Sequence, residues 1–257
     1  MKAAVVGGSS GLGRCIGVGL ARRHHHVALL ARRYHRLVEA AKEAGPGSLA
    51  IACDVTDADS CRSALSDAAA GLGGLDALVY CAGVGILARL NDTDASVWRR
   101  TLDTNLTGAA LVTSAALPHL RHSRGAAAYL SSWSASLTAP WPGLGAYVVS
   151  KAALDKLVEA WRVEQPEVGF TRIVVGNSAG GTGDGATEMV AQWDPGLLSE
   201  LWPGWEAKGY FDGGLVDTDD LVETVQSVLQ SGPSSPPSVT VMPRPAHKSQ
   251  HETEETQ

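Results

Sequence analysis

The chain has 257 residues, of which 44% are hydrophobic and 19% are charged, and its formal net charge is −6. This composition supports one large hydrophobic core and excludes a disordered chain. The negative charge offers no basic surface for nucleic acid, and no apolar run approaches the length of a membrane span, so we expect no nucleic-acid or membrane partner.

The cysteine pattern argues against a metal site and against a disulfide framework. No C-x-x-C pair and no partnering histidine stands at ligand spacing around the four cysteines, Cys15, Cys53, Cys61 and Cys81. Three consecutive histidines, residues 24–26, are assigned to an exposed turn. Because the first residues enter a strand-like run without the features of a signal peptide, we expect a cytoplasmic protein.

Short aliphatic runs alternate along the chain with longer segments of helical periodicity. The runs predict strands buried on both faces at residues 3–6, 27–31, 49–53, 77–80, 126–130, 171–175 and 239–242. The periodic segments predict helices at residues 14–23, 37–44, 58–70, 97–120, 151–164 and 219–229. This alternation predicts an α/β fold, with a doubly wound parallel sheet of about seven strands in a single domain over residues 1–242.

The first predicted strand runs directly into a glycine-rich turn made of Gly7, Gly8, Ser9, Ser10, Gly11, Leu12 and Gly13. Glycines allow a tight turn and let the backbone approach a pyrophosphate, which the N–H groups and dipole of the following helix attract. The spacing G-x-x-x-G-x-G departs from the usual Rossmann fingerprint, G-x-G-x-x-G. The turn nevertheless predicts dinucleotide binding on a Rossmann-type fold, with a plain strand-to-helix loop as the alternative.

The second predicted strand ends in Arg32 and Arg33, and Arg32 follows Gly13 by nineteen residues. An acidic side chain near this position would bind a ribose 2′-hydroxyl, whereas a guanidinium matches the oxygens of a 2′-phosphate. The arginines therefore favour NADP(H) over NAD(H). The alternative is that they only solvate the end of a strand.

Tyr147 and Lys151 form a Y-x-x-x-K pair. Residues four apart share one face of a helix, so the two polar ends can meet at one site. A phenol has a pKa near 10 and is a poor general base at neutral pH, but a neighbouring ammonium favours the phenolate. Together with the glycine turn, the pair predicts acid–base chemistry beside a bound dinucleotide.

The glycine turn, the Tyr147–Lys151 pair and Asn105 in N-x-x-G resemble the short-chain dehydrogenase/reductase (SDR) family in residues and in order. The resemblance covers nearly the whole chain. It implies a hydride-transferring enzyme that acts on a carbonyl or alcohol with NAD(P), and a homodimer or homotetramer. Asn105 is then expected to distort its helix and to hold a water in a proton relay.

The resemblance also implies which residues bind the cofactor and polarise the substrate oxygen. Asp54 matches the aspartate that meets the adenine amino group, and Val55 would pack on the adenine. The run Cys81-Ala82-Gly83 matches the family's N-A-G, with cysteine in place of asparagine. Tyr147 and Lys151 would also contact the cofactor.

The catalytic serine has two candidates. Ser132 follows the fifth predicted strand but lies fifteen residues before Tyr147, where the family has thirteen, and that count gives Ser134. We favour Ser132, with two extra residues in the loop after it, because a strand end fixes a side chain better than a loop does.

Residues 176–217 break the alternation and are interpreted as a cover over the active site, or alternatively as a local hydrophobic cluster. Thr182, in this segment, matches a threonine that contacts the nicotinamide carboxamide, although alanine replaces the family's preceding proline. Three tryptophans, Trp193, Trp202 and Trp205, favour an apolar or aromatic substrate. Residues 243–257 are predicted to be a disordered tail.

These features predict an NADP(H)-dependent ketoreductase or alcohol dehydrogenase with catalytic Asn105, Ser132, Tyr147 and Lys151. The alternative is a regulatory protein that keeps the fold and senses NADP(H) without catalysis. The intact Tyr147–Lys151 pair favours the enzyme, because a sensor needs no proton donor.

Overall fold

The computed structural model describes residues 1–181, 187–212 and 214–244. Across these ranges seven strands form one parallel sheet in the order β3-β2-β1-β4-β5-β6-β7. The strands are β1 Lys2–Val6, β2 His26–Ala31, β3 Leu49–Ala52, β4 Ala77–Tyr80, β5 Ala126–Ser132, β6 Gly169–Val175 and β7 Ser238–Val241. The predicted seven-stranded parallel sheet is confirmed.

The six segments predicted to be helical form helices in the described residues, and two further helices, at Trp133–Ser136 and Pro195–Ala207, were not predicted. The helices of the described residues are α1 Gly11–Arg22, α2 Tyr34–Ala44, α3 Ala58–Leu72, α4 Ala95–Leu102, α5 Gly108–Ser123, α6 Trp133–Ser136, α7 Gly145–Glu164, α8 Pro195–Ala207 and α9 Thr218–Leu229. The single helix predicted over residues 97–120 is divided, because a π-helical turn, Asp103–Thr107, joins α4 to α5. Helix α8 lies inside the segment predicted to be a cover. None of these helices combines the length and the apolar character that crossing a bilayer requires.

Two apolar cores lie on opposite faces of the sheet, because successive strand residues point to opposite sides. In β1, Ala4 and Val6 pack with residues of α3, α5 and α7, whereas Ala3 and Val5 pack with residues of α1, α2 and α9. The sheet is therefore doubly wound, as predicted.

The strand order reverses between β1 and β4, which leave their carboxyl ends side by side. In open α/β sheets ligands bind outside the carboxyl ends of the strands at such a reversal. The glycine turn follows β1 and the Cys81-Ala82-Gly83 loop follows β4, so both predicted cofactor segments lie at this point.

Candidate active site

The glycine turn passes too close to its neighbours for larger residues. A Cβ at Gly7, whose φ is +90°, would lie 2.6 Å from the Ala82 backbone nitrogen, and a Cβ at Gly13 would lie 2.3 Å from the Gly7 carbonyl oxygen. The predicted tight turn is therefore present, and it packs directly against the loop after β4. The turn therefore lies at the reversal of strand order, with Gly8, Ser9, Gly11 and Gly13 buried.

The N-terminus of α1 can accept an anion. Ser10, at its N-cap, makes no side-chain capping bond within the described residues, whereas aspartates cap α3, α4, α8 and α9. The first N–H groups of a helix and its dipole favour negative charge. The turn and this helix start therefore fit the pyrophosphate of a dinucleotide.

We predict that Gly13→Ala destabilises the fold by about 1–3 kcal/mol, because the new methyl group must displace backbone. The matched control is Gly204→Ala in α8, where a Cβ has no neighbour within 4 Å. That change should stabilise the helix by about 0.5–1 kcal/mol. Urea unfolding of both variants measures the difference, and equal stability of the two would contradict the close packing of the turn.

Arg33, at the end of β2, reaches the glycine turn. Its Nη2 donates to the Ser9 hydroxyl at 3.2 Å and to the Ser10 hydroxyl at 2.9 Å. Arg32, which was predicted beside it, is exposed and lies near Asp54. Arg36, one turn into α2, joins Arg33 on a shared carboxylate. The spacing R-x-x-R was the signal in the sequence that could have identified Arg36.

Asp54 and Val55 follow β3 in different surroundings. Burial opposes ionisation of Asp54, but bonds from the Thr56 N–H and hydroxyl, with the Arg32 charge, hold the pKa of this carboxyl below its usual value. Val55 is only 6% exposed and packs beside Gly108. A charged acceptor is thus available at Asp54, and the contacts of both residues with adenine stay predictions.

The loop Cys81-Ala82-Gly83 connects the glycine turn to the polar groups of α7. Cys81 lies beside Gly13, and burial raises the pKa of its thiol to about 12. A Cβ at Gly83 would lie 3.6 Å from Lys151 Nζ. Cysteine in place of asparagine therefore leaves the loop in position and puts a neutral thiol there.

The structure brings Ser132, Tyr147 and Lys151 together at the carboxyl end of β5. Lys151 is 5% exposed, and its Nζ donates to the Leu130 carbonyl at 2.7 Å and lies 5.9 Å from the Tyr147 ring centroid. Burial raises the pKa of Tyr147, and a hydrogen bond with the Ser132 hydroxyl opposes that rise. Burial lowers the pKa of Lys151 to about 8. Of these two groups, Lys151 therefore has the pKa nearer to neutral pH.

Asn105 lies in the π-helical turn and is fully buried. Its Oδ1 accepts from the Val84 N–H at 2.8 Å, and its Nδ2 donates to the Val84 carbonyl at 2.9 Å and to the Ser150 hydroxyl at 2.8 Å. The expected distortion of the helix is present. The side chain ties the loop after β4 to α7, and its part in a proton relay stays a prediction.

Ser134 lies next to Ser132. Their hydroxyl oxygens are 2.9 Å apart, and the Ser134 N–H also donates to Ser132 Oγ at 3.3 Å. Ser132 is the last residue of β5, whereas Ser134 lies in the short helix α6. The Ser132 hydroxyl lowers the pKa of Tyr147, which favours Ser132, and the choice between the two serines stays a prediction.

An aromatic cluster lies beside this site. Trp141 stacks on Tyr210 at 4.5 Å and lies 5.3 Å from Trp205, which is 1% exposed. The other aromatic members are Trp133, Trp193, Trp202 and Phe211, with Tyr147 packed against the cluster. The cluster adjoins the tyrosine, and both interpretations of residues 176–217 stay predictions. Thr182 and residues 245–257 of the predicted tail lie outside the described residues.

Comparison with known proteins identifies the family. A family model described as short chain dehydrogenase matches residues 1–196. The chain belongs to this family. The 11-beta-hydroxysteroid dehydrogenase A of Sesamum indicum is 35% identical over 178 residues, which are 67% of this chain and 51% of that protein. The chain thus spans about half the length of the curated relatives it matches.

Solved structures confirm the fold of this short-chain dehydrogenase family member. A short-chain type dehydrogenase/reductase from Mycobacterium marinum has a TM-score of 0.79 and 25% identity, covering 93% of this chain and 92% of the other. An alcohol dehydrogenase from Thermococcus sibiricus, complexed with 5-hydroxy-NADP, has a TM-score of 0.77 and 24% identity, covering 93% and 95%.

Proposed function

We propose that this chain is an NADP(H)-dependent oxidoreductase that transfers hydride between the nicotinamide and a carbonyl or alcohol carbon. The observation that carries the proposal is the grouping of Ser132, Tyr147 and Lys151 at the carboxyl edge of the sheet, beside the glycine turn and its partner loop. When bound, the nicotinamide cofactor supplies the hydride for reduction and accepts it in oxidation.

The proton chemistry falls to Tyr147. In reduction its hydroxyl donates a proton to the substrate oxygen, and in oxidation the phenolate removes one. The Lys151 ammonium lies 5.9 Å from the Tyr147 ring centroid, and a positive charge at that position would favour the phenolate. The Ser132 hydroxyl holds the substrate oxygen where negative charge develops. Asn105 keeps the loop after β4 and α7 in register, which fixes the distance between the cofactor site and Tyr147.

The preference for NADP(H) over NAD(H) rests on charge. Arg33 follows β2 and Arg36 lies in the first turn of α2, and Arg33 also contacts both serines of the glycine turn. Two guanidinium groups match the oxygens of a 2′-phosphate, and no carboxylate follows β2 directly in the sequence to bind a 2′-hydroxyl. Gly11, Leu12 and Gly13 would hold the pyrophosphate through backbone N–H groups, while Gly7, whose N–H donates to the Leu30 carbonyl at 2.7 Å, shapes the turn.

The substrate class follows from the aromatic cluster. Tyr147 packs against the cluster, so a substrate held at its hydroxyl meets aromatic and aliphatic side chains. Such surfaces favour apolar or ring-bearing carbonyl compounds over small polar ones. A homo-oligomeric state and a cytoplasmic location stay predictions.

The deciding experiment measures NADPH oxidation by absorbance with a panel of bulky aromatic ketones and small aliphatic aldehydes, and NADH in parallel. We expect turnover that prefers NADPH and the bulky ketones. Cofactor binding without turnover on any substrate would instead favour a cofactor-sensing protein. Failure to bind either cofactor would contradict the assignment of the glycine turn.

We predict that the two serines contribute unequally. Ser132→Ala should lower kcat by about 100-fold or more, because it removes the donor aimed at the substrate oxygen. Ser134→Ala should lower it by less than about tenfold, since this residue only supports Ser132 through a hydrogen bond. Steady-state kinetics of both variants decide the assignment, and the reverse order of effects would make Ser134 the catalytic serine.

A further inference from the structure

One short segment, residues 187–193, lies across both ends of the proposed cofactor cleft, and we name it the strap. At one end, a Cβ added at Gly11 would lie 3.5 Å from Thr187 Cα. At the other end, Trp193 Nε1 donates to the Gly85 carbonyl at 2.8 Å, and Met189 Sδ would lie 2.7 Å from a Cβ at Gly85. The strap therefore contacts the pyrophosphate turn and the neighbourhood of Tyr147 at once.

Between these ends, Glu188 of the strap holds both arginines of the β2–α2 region. One carboxylate oxygen accepts from Arg33 Nη1 and the other from Arg36 Nη1. The side chains are 36%, 32% and 30% exposed for Arg33, Arg36 and Glu188 respectively, so all three reach solvent. Arg33 meanwhile keeps its second nitrogen on Ser9 and Ser10.

A carboxylate between two guanidinium groups presents the same chemistry as one face of a phosphate. Each supplies negatively charged oxygens that accept paired N–H donors from arginine. An N–H group of Arg33 or Arg36 that bonds Glu188 cannot donate the same proton to a phosphate. A phosphate placed beside a retained Glu188 would also meet like charge.

We infer that Glu188 competes with the cofactor's 2′-phosphate for Arg33 and Arg36 and thereby sets how strongly this chain discriminates between NADP(H) and NAD(H). The inference rests on the proposed function, because it takes the arginines as the phosphate site. Glu188 is then a specificity-determining residue located 155 positions along the chain from Arg33. Binding of the phosphate also detaches the strap from β2–α2.

The test uses two fragments without nicotinamide, 2′,5′-ADP and 5′-AMP, titrated by calorimetry at fixed ionic strength. Glu188→Gln removes the competing charge and should raise the affinity for 2′,5′-ADP by about three- to tenfold, the range expected for partly exposed ion pairs. The affinity for 5′-AMP should stay within about twofold, since that ligand lacks the 2′-phosphate.

The matched control is Glu200→Gln, which breaks an ion pair between α8 and Arg89 away from the glycine turn. It should leave both affinities unchanged. In an Arg36→Gln background, the gain from Glu188→Gln should shrink, because one of the contested arginines is gone.

The outcomes separate this inference from the proposed function. Wild-type protein that binds neither fragment would contradict the cofactor site itself, and the inference with it. Preference for 2′,5′-ADP in wild type with no gain, or a loss, in Glu188→Gln would overturn the inference and leave the proposed function standing. If the wild type bound the two fragments with equal affinity and a preference for 2′,5′-ADP appeared only in Glu188→Gln, the result would support the inference.

Discussion

Replacing Tyr147 with phenylalanine is expected to lower kcat by about a thousandfold while leaving cofactor binding intact. The change removes only a hydroxyl, and general acid–base catalysis contributes about 100- to 10,000-fold in enzymes. The ring that packs against the aromatic cluster is kept, so the fold should be retained. Kinetics of NADPH oxidation, with calorimetric titration of NADPH, measure the two effects separately.

The matched control for this variant is Tyr34→Phe. Tyr34 begins α2, between Arg33 and Arg36, and is 55% exposed, so removing its hydroxyl leaves the residues proposed to move the proton unchanged. The Tyr34→Phe variant should have the same kcat as the wild type. A Tyr147→Phe variant that retains kcat within about tenfold of wild type would show that another group moves the proton.

The second large effect concerns Lys151→Met, which should abolish turnover and yet not weaken the fold at neutral pH. Methionine fills a similar volume and has no charge to desolvate. In the wild type, burial holds the pKa of Lys151 at about 8, below its ordinary 10.5. Desolvation of the Lys151 charge therefore lowers the free energy of unfolding of the wild type at neutral pH. The variant has no charge there and lacks this cost.

The sign of the pH dependence follows from proton binding. Between about pH 8 and 10.5 the unfolded wild type binds more protons at this lysine than the folded protein does, so wild-type stability rises with pH. The stability advantage of Lys151→Met should therefore be largest below pH 8, at up to about 3 kcal/mol, and shrink above it.

Urea unfolding across this pH range measures the difference between wild type and variant. Lys156→Met on the same helix is the control, since Lys156 is exposed and pairs with Glu159. The Lys156→Met change should alter the free energy of unfolding only slightly at every pH. An advantage of Lys151→Met that grew as pH rose would contradict a lowered pKa at this site.

Much of the fold could be predicted because its signals are local. Strands buried on both faces are continuous aliphatic runs, and each of the seven predicted runs became a strand with small changes at its ends. Helix starts were less visible. Helix α7 begins at Gly145, six residues before the predicted start, because its first turn carries no capping side chain and no apolar period.

The contents of residues 176–217 were harder to predict because they depend on partners far away in the chain. Helix α8 did have a local signal, an N-cap at Asp194 followed by Pro195 at the first helical position. The contacts of Glu188 with Arg33 and Arg36 had no local signal in the sequence. Nothing near Glu188 in the sequence indicates that the fold brings the end of β2 to it.

The roles of the proposed site residues stay predictions, and the choice between neighbouring candidates needs the structure. Whether Arg32 or Arg33 points at the glycine turn depends on which side of the β2 end each side chain leaves, and a shift of one residue reverses it. The same holds for Ser132 and Ser134. Their two hydroxyl groups come into contact because α6 begins directly after Ser132.

The aromatic cluster gives this protein an optical property. Five of its seven tryptophans, namely Trp133, Trp141, Trp193, Trp202 and Trp205, lie in that cluster, and Trp193 bonds Gly85 beside Tyr147. Indole emission overlaps the absorption of a reduced nicotinamide, so excitation of these rings can pass to a ligand bound next to them. We therefore expect the chain's own fluorescence to report occupancy of the cleft without any label.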